Sequence, residues 1–169
     1  MLILPNSCFL HVPKTGGSWV KKAVKSAVLD SREYSVDGYT HIGLEQCPCP
    51  EKFKFAFVRH PVSLYRSYWQ YKMTYGWDAN NDLDMACRSE DFAEFIGGVL
   101  EKFPGIYGKS LDDFVGTADQ PIEFIGRYDN LAEDLIIALT LAGEKFDADI
   151  IRALPPFNVS NKKQAPAEF

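Results

Sequence analysis

The chain has 169 residues, 46% of them hydrophobic and 24% charged, and a net charge of −5. That length suits one domain with a real core, and the acidic balance argues against a broad nucleic-acid-binding face, so any anion site must be a local gathering of cations. No apolar run approaches the ~18 residues of a membrane span, and the opening residues, interrupted by Pro5 and Asn6 and lacking a basic flank, do not read as a signal peptide.

In chain order, residues 2–11 form an apolar strand candidate that runs into the loop 12–17. The helix that follows sets Val20, Ala23, Val24, Ala27 and Val28 on one stripe, with Lys21, Lys22 and Lys25 outside it. The cysteines are Cys8, Cys47, Cys49 and Cys87. No second pair stands at zinc spacing from the tight Cys47-Pro48-Cys49, so free thiols in a reducing compartment, the cytoplasm, are preferred to a metal site. Residues 53–58, rich in aromatics, read as a strand closed by Arg59-His60-Pro61, and Pro61 suits the first turn of a helix reaching about residue 75. Residues 76–90 read as polar loop and 91–102 as helix. Residues 122–125 form a short strand before Gly126, Arg127 and Tyr128. Asn130 and Glu133 have the spacing of a capping box, Leu131, Leu135, Ala138, Leu139 and Ala142 supply a buried stripe, and Gly143 stops the helix.

With no repeat or linker, residues 1–169 read as a single domain. Strands alternating with helices imply an α/β fold of three layers, a central parallel sheet of four or five strands flanked by helices. Ligands of such sheets bind beyond the carboxyl ends of the strands, where both the Lys14 loop and Arg59 fall.

Two motifs carry chemistry. The run HVPKTGGSW at residues 11–19 takes a strand through a glycine loop into a helix start, which presents unpaired N–H groups to an anion. Lys14 adds a charge, and Thr15 and Ser18 add hydroxyls; an ordinary turn with a solvated lysine is the alternative. Glycine-Lys-Ser/Thr, the ending of a Walker loop, is missing. The run FAFVRHPVSLYRSYW at residues 55–69 places Arg59 at a strand end and Ser67 eight positions on, so both can meet one phosphate. A structural ion pair is the alternative for Arg59, and Arg66 is either a second cation or a surface residue.

Together the motifs resemble the two nucleotide-binding elements of the sulfotransferase superfamily, a PKxGxxW-like loop and a strand ending in Arg with Ser eight residues later. The stretch 124–131, with Gly126-Arg127-Tyr128, is similar to the family's later GRYE-L segment. The resemblance implies a P-loop-like sulfotransferase fold and the donor 3′-phosphoadenosine 5′-phosphosulfate, with no metal. It implies that Lys14 contacts the leaving 5′-phosphate, that Thr15, Gly16, Gly17 and Ser18 cradle it, and that Trp19 stacks on adenine unless it is core. It further implies that Arg59 and Ser67 hold the 3′-phosphate and that Arg127 and Tyr128 serve the adenine. Lys162, in the segment 158–163, resembles a late basic element that closes over the 3′-phosphate, with a solvated tail as the alternative.

The acceptor would be a small molecule or glycan with a free hydroxyl, with neither nucleic acid nor membrane as partner. Its proton needs a base, and His41 resembles in placement the catalytic histidine of heparan sulfate 2-O-sulfotransferases; Glu45 or a residue of 76–94 is the alternative. His11 is expected to be a satisfied core or edge histidine and His60 to shape the phosphate loop. A P-loop-like kinase and a non-catalytic module that binds adenosine bisphosphate are the rival functions.

Overall fold

The apolar run at the start of the chain folds back on itself. In the computed structural model, which describes residues 1–27 and 29–156, strands β1 (Leu2–Ile3) and β2 (Ser7–Leu10) pair antiparallel, with Leu2 opposite Phe9. The single strand expected over 2–11 is therefore a hairpin. Pro5 has no N–H to give a ladder, and Asn6 suits a turn; the Leu4 N–H closes that turn on the Ser7 carbonyl at 2.8 Å. Both strands are buried throughout, which is why their apolar residues run on without alternation.

Helix α1 (Gly17–Ser26) buries Trp19, Val20, Ala23 and Val24, and Ala27 just beyond it is buried too, while Val28 lies outside the described residues. The short strand β3 (Arg32–Glu33) pairs antiparallel with β1. A 3₁₀ turn at Leu44–Gln46 leads toward β4 (Phe53–Val58), which runs parallel to β2, and α2 (Pro61–Tyr75) follows with Pro61 in its first turn. The stretch 76–90, expected to be loop, contains α3 (Asp82–Cys87). This helix is too short for periodicity to reveal, but Asn81 caps it by accepting the Asp84 N–H at 3.0 Å, and Asp82 and Asp84 sit in its first turn.

Helices α4 (Phe92–Lys102) and α5 (Ile106–Val115) come next, then a small hairpin of β5 (Gly116–Thr117) and β6 (Gln120–Pro121). Strand β7 (Phe124–Arg127) lies two residues later than the 122–125 expected and runs parallel to β4. Helix α6 (Leu131–Leu141) and helix α7 (Ala148–Ala153), the latter capped by Asp147, complete the described chain. The capping box expected at Asn130 does not form. The Asn130 amide donates to Asp134 at 2.7 Å, and Glu133 is turned outward to Arg152, which donates to it from Nε at 2.8 Å and Nη2 at 3.1 Å. Gly143, at φ 69°, stops α6 as expected.

The main sheet has five strands in the order β3-β1-β2-β4-β7. It is mixed rather than all parallel: β2, β4 and β7 are parallel, while the Pro5-Asn6 reversal makes β1 antiparallel to its neighbours. Phe9, Phe55 and Phe57 point to one face and pack with α1, α6 and α7. Cys8, Leu10 and Ala56 point to the other, under Ile42 and the Leu111–Val115 end of α5. A separate aromatic cluster around Phe95 ties α2, α3 and α4 together. The carboxyl ends of β2, β4 and β7 consequently lie side by side.

Candidate functional site

Beyond those three strand ends opens a cleft of about 1410 Å³, lined by residues of the loop after β2, by Arg59, by the C-terminal half of α2 and by Tyr128. Lys14, Gly16, Gly17, Ser18, Trp19, His41, Arg59, Ser67 and Tyr128, singled out from the sequence, all reach it.

The loop after β2 is built around two left-handed residues, Lys14 at φ 64° and Gly16 at φ 89°. Gly16 is the cap residue of α1, and no side chain caps the helix or puts an acid in its first turn. The helix start therefore keeps its N–H groups and the positive end of its dipole for an external anion. Ser18 is exposed in the cleft. Thr15 is a correction: it is buried, and its hydroxyl donates to the Val12 carbonyl at 2.9 Å, so it braces the loop instead of facing the cleft. Gly17 answers a close approach. A Cβ there would lie 1.9 Å from His11 Nε2.

Lys14 extends its ammonium over the ring of Tyr71, 4.1 Å from the centroid. Burial, followed by the charges of Arg59 and Lys72, holds its pKa below the usual lysine value. Arg59 leaves the end of β4 and is fixed on several sides. Its Nη1 donates to the Lys14 carbonyl at 3.1 Å, its Nε to Ser63 Oγ at 2.9 Å, and its guanidinium lies 3.9 Å from the centre of the Tyr128 ring. The Tyr107 hydroxyl accepts the Arg59 N–H at 3.3 Å and donates to the Arg59 carbonyl at 2.8 Å, which pins the backbone there. Ser63, one turn into α2, is thus the arginine's partner, while Ser67, a further turn on, is buried against the cleft.

A third cation was not anticipated. Lys72 pairs with Asp84 at 2.5 Å, and Asp84 is fully buried. The same carboxylate accepts the Tyr68 hydroxyl at 2.5 Å and the Asp78 N–H at 2.8 Å. Three contacts on a buried carboxylate make a closed network joining α2 to α3. One signal lay in the sequence: Tyr68 and Lys72, both on this carboxylate, stand at i and i+4 of the helix.

His41 donates from Nδ1 to the His11 carbonyl at 2.8 Å, and its ring lies 4.3 Å from that of His11. Burial of this inner edge lowers its pKa against the smaller opposing effect of the carbonyl bond. The imidazole is thus neutral at neutral pH, with Nε2 free to accept a proton. His11 departs from the satisfied histidine expected: Nδ1 is buried with no partner. Burial, then His41 and Lys21, push its pKa down to about 3.

The remaining expectations divide. Trp19 is 7% exposed, packs within the core and donates its indole N–H to the Pro155 carbonyl at 3.1 Å, so it is core with only an edge on the cleft. Arg127 is exposed and outside the cleft lining. So are His60, which heads α2, and Glu45, while Arg66 stacks on Phe92 at 5.3 Å. Asp129 is the carboxylate of the lining. Lys162 lies outside the described residues.

All four cysteines are free thiols, with Cys8 pushed up to about 12 by burial and by neighbouring Cys47. Among the described residues no group of His, Cys, Asp and Glu is arranged to hold a metal ion, and no helix is long and apolar enough to cross a membrane. No family model, curated protein or solved structure matches the chain.

Proposed function

We propose that the chain is a cytoplasmic sulfotransferase that moves a sulfuryl group from 3′-phosphoadenosine 5′-phosphosulfate to a hydroxyl of a small molecule or glycan. The observation that carries this reading is the meeting in one cleft of the uncapped start of α1 with Lys14 and of the Arg59 guanidinium, at the ends of neighbouring parallel strands. The start of α1 with Lys14, and the Arg59 guanidinium that bonds the Lys14 carbonyl, gather positive charge that would suit a nucleotide bearing 3′ and 5′ anions. The cleft of about 1410 Å³ exceeds the roughly 300–1,000 Å³ of ordinary small-molecule sites, leaving room for an acceptor beside the donor. On this reading Lys14 and the start of α1 would meet the 5′ anion and Arg59 the 3′-phosphate. Because Trp19 is core and Arg59 already covers one face of Tyr128, adenine would be left the remaining cleft-facing surfaces of Tyr128 and Leu131.

The donor supplies, when bound, an activated sulfuryl group whose departing phosphate gathers negative charge. Lys14 and the N–H groups opening α1 would stabilise that charge, and Arg59 would anchor the 3′ end. His41, its Nδ1–H fixed on the His11 carbonyl, would take the acceptor proton on Nε2. As that proton leaves, the acceptor oxygen–sulfur bond forms and the sulfur–phosphate oxygen bond breaks, its electron pair going to the phosphate.

Calorimetric titration tests the reading. Adenosine 3′,5′-bisphosphate should bind at least about thirtyfold more tightly than 5′-AMP, and Arg59→Ala should erase the preference by removing roughly 2–5 kcal/mol from the bisphosphate alone. Equal affinities in the wild-type protein would sink it.

A further inference from the structure

His11 has no task in the reaction above beyond lending its carbonyl to His41, yet its ring is closely enclosed. It stands at the end of β2, 9% exposed, and lines the cleft. Phe9 stacks on it with ring centres 5.7 Å apart, and His41 lies across it at 4.3 Å. Nδ1 is sealed away without a partner. The opposite edge, Cδ2 and Nε2, presses on Gly17, the first residue of α1, closely enough that a Cβ there would come within 1.9 Å. Nε2 is therefore the nitrogen left to face the cleft.

We propose that His11 is a hydrogen-bond donor of the anion site, presenting Nε2–H to a tetrahedral oxyanion, sulfate or phosphate, held at the start of α1. Two independent features support it. The ten-residue helix α1 begins with no side-chain cap and no acid in its first turn, and against that start, at Gly17, lies the Cδ2–Nε2 edge of a buried imidazole whose Nδ1 is sealed on the other side. Burial, His41 and Lys21 keep the ring neutral, so it carries one ring proton. Against an anion only the Nε2–H form is attractive, because a lone pair there would face negative charge. Nδ1 then keeps its lone pair in the sealed pocket, where no acceptor waits for a proton. A neutral imidazole beside a helix start can polarise an oxygen without adding a charge that the anion must shed on release. Gly17 fits the same arrangement, since any side chain there would drive the imidazole edge away from the helix start. The inference rests on the loop being an anion site and would assign a contact to the oxygens of the transferred or leaving group.

The experiment is long-range nitrogen–proton NMR of the imidazoles in labelled full-length protein, titrated with sodium sulfate and, separately, with adenosine 3′,5′-bisphosphate. The expected result is a neutral Nε2–H tautomer for His11 in the anion-bound protein, with the Nε2–H proton moving downfield and exchanging more slowly. His11→Phe should weaken sulfate binding about tenfold or more, the scale of one hydrogen bond to a charged group, and His11→Gln, whose amide can donate, should recover part of it. An Nδ1–H tautomer in the bound state, or no response of His11 to saturating anion, overturns the proposal even if neither variant folds. So does unchanged affinity in His11→Phe. A His11 response to sulfate with no preference for the bisphosphate over 5′-AMP would remove the sulfotransferase reading and leave this one standing; a clear preference with a silent His11 would do the reverse.

Discussion

Replacing Gly17 by alanine adds one methyl group at the start of α1, and that methyl has nowhere to go. It would lie 1.9 Å from both Cδ2 and Nε2 of His11 and 2.7 Å from Cε1, against the ~3.5–4.0 Å of an unstrained carbon contact. The imidazole would have to retreat by roughly half the van der Waals separation, and Phe9 and His41 stand on either side of it. Elsewhere in a helix, Gly→Ala gains roughly 0.5–1 kcal/mol from backbone entropy, and overpacking a filled site costs about 1–3 kcal/mol. The steric effect wins here, for a net loss of about 1–2 kcal/mol. At ~2–4 °C per kcal/mol for a chain of this length, the melting temperature should fall by about 2–8 °C. The cause is isolated by a double-mutant cycle in urea. In a His11→Ala background the added methyl meets empty space, so Gly17→Ala should be neutral or stabilising there, with a coupling of at least about 1 kcal/mol. Additive effects of the two substitutions, or a wild-type melting temperature for Gly17→Ala alone, would refute the wedge.

Acid should destabilise the fold through His11. Its folded pKa, about 3, lies below the ordinary 6.5, so the unfolded chain binds the extra proton; stability is complete above pH ~6.5 and falls by up to about 1.4 kcal/mol per pH unit toward pH ~3. Urea midpoints measured down that range should decline less steeply in His11→Gln, and parallel curves would show the histidine is not buried neutral. On the sulfotransferase reading, His41→Asn should lose at least about a hundredfold in turnover with labelled donor while binding adenosine 3′,5′-bisphosphate normally, and an unchanged rate and pH profile would move the base elsewhere.

Several residues of the cleft that were legible in the sequence share a physical property: they follow the ends of parallel strands, whereas His41 lies in a loop and Ser67 well inside α2. Lys14, Gly16 and Gly17 follow β2, Arg59 follows β4 and Tyr128 follows β7, and parallel pairing alone brings those ends together. What was missed or misread depends on partners that local pattern cannot announce. Lys72 owes its place to Asp84 on α3, a helix shorter than two turns inside a polar stretch. The capping box at Asn130 had the right residues, but Glu133 is claimed by Arg152 of α7. Trp19 has the motif position of a stacking residue, yet it faces the same way as Ala23, one turn on, and both are in the core. Pro5-Asn6 was the one local signal strong enough to have predicted the hairpin and hence the mixed sheet, since no strand interior tolerates that pair. The same reasoning bears on His11. A histidine closing an apolar strand looks ordinary along the chain, and only the return of the backbone at Gly17 makes its ring a wedge with one nitrogen sealed and the other at the helix start. Where a motif's glycine is demanded by a side chain six residues earlier, the motif describes a packing arrangement as much as a ligand site, and the two must be mutated together to be told apart.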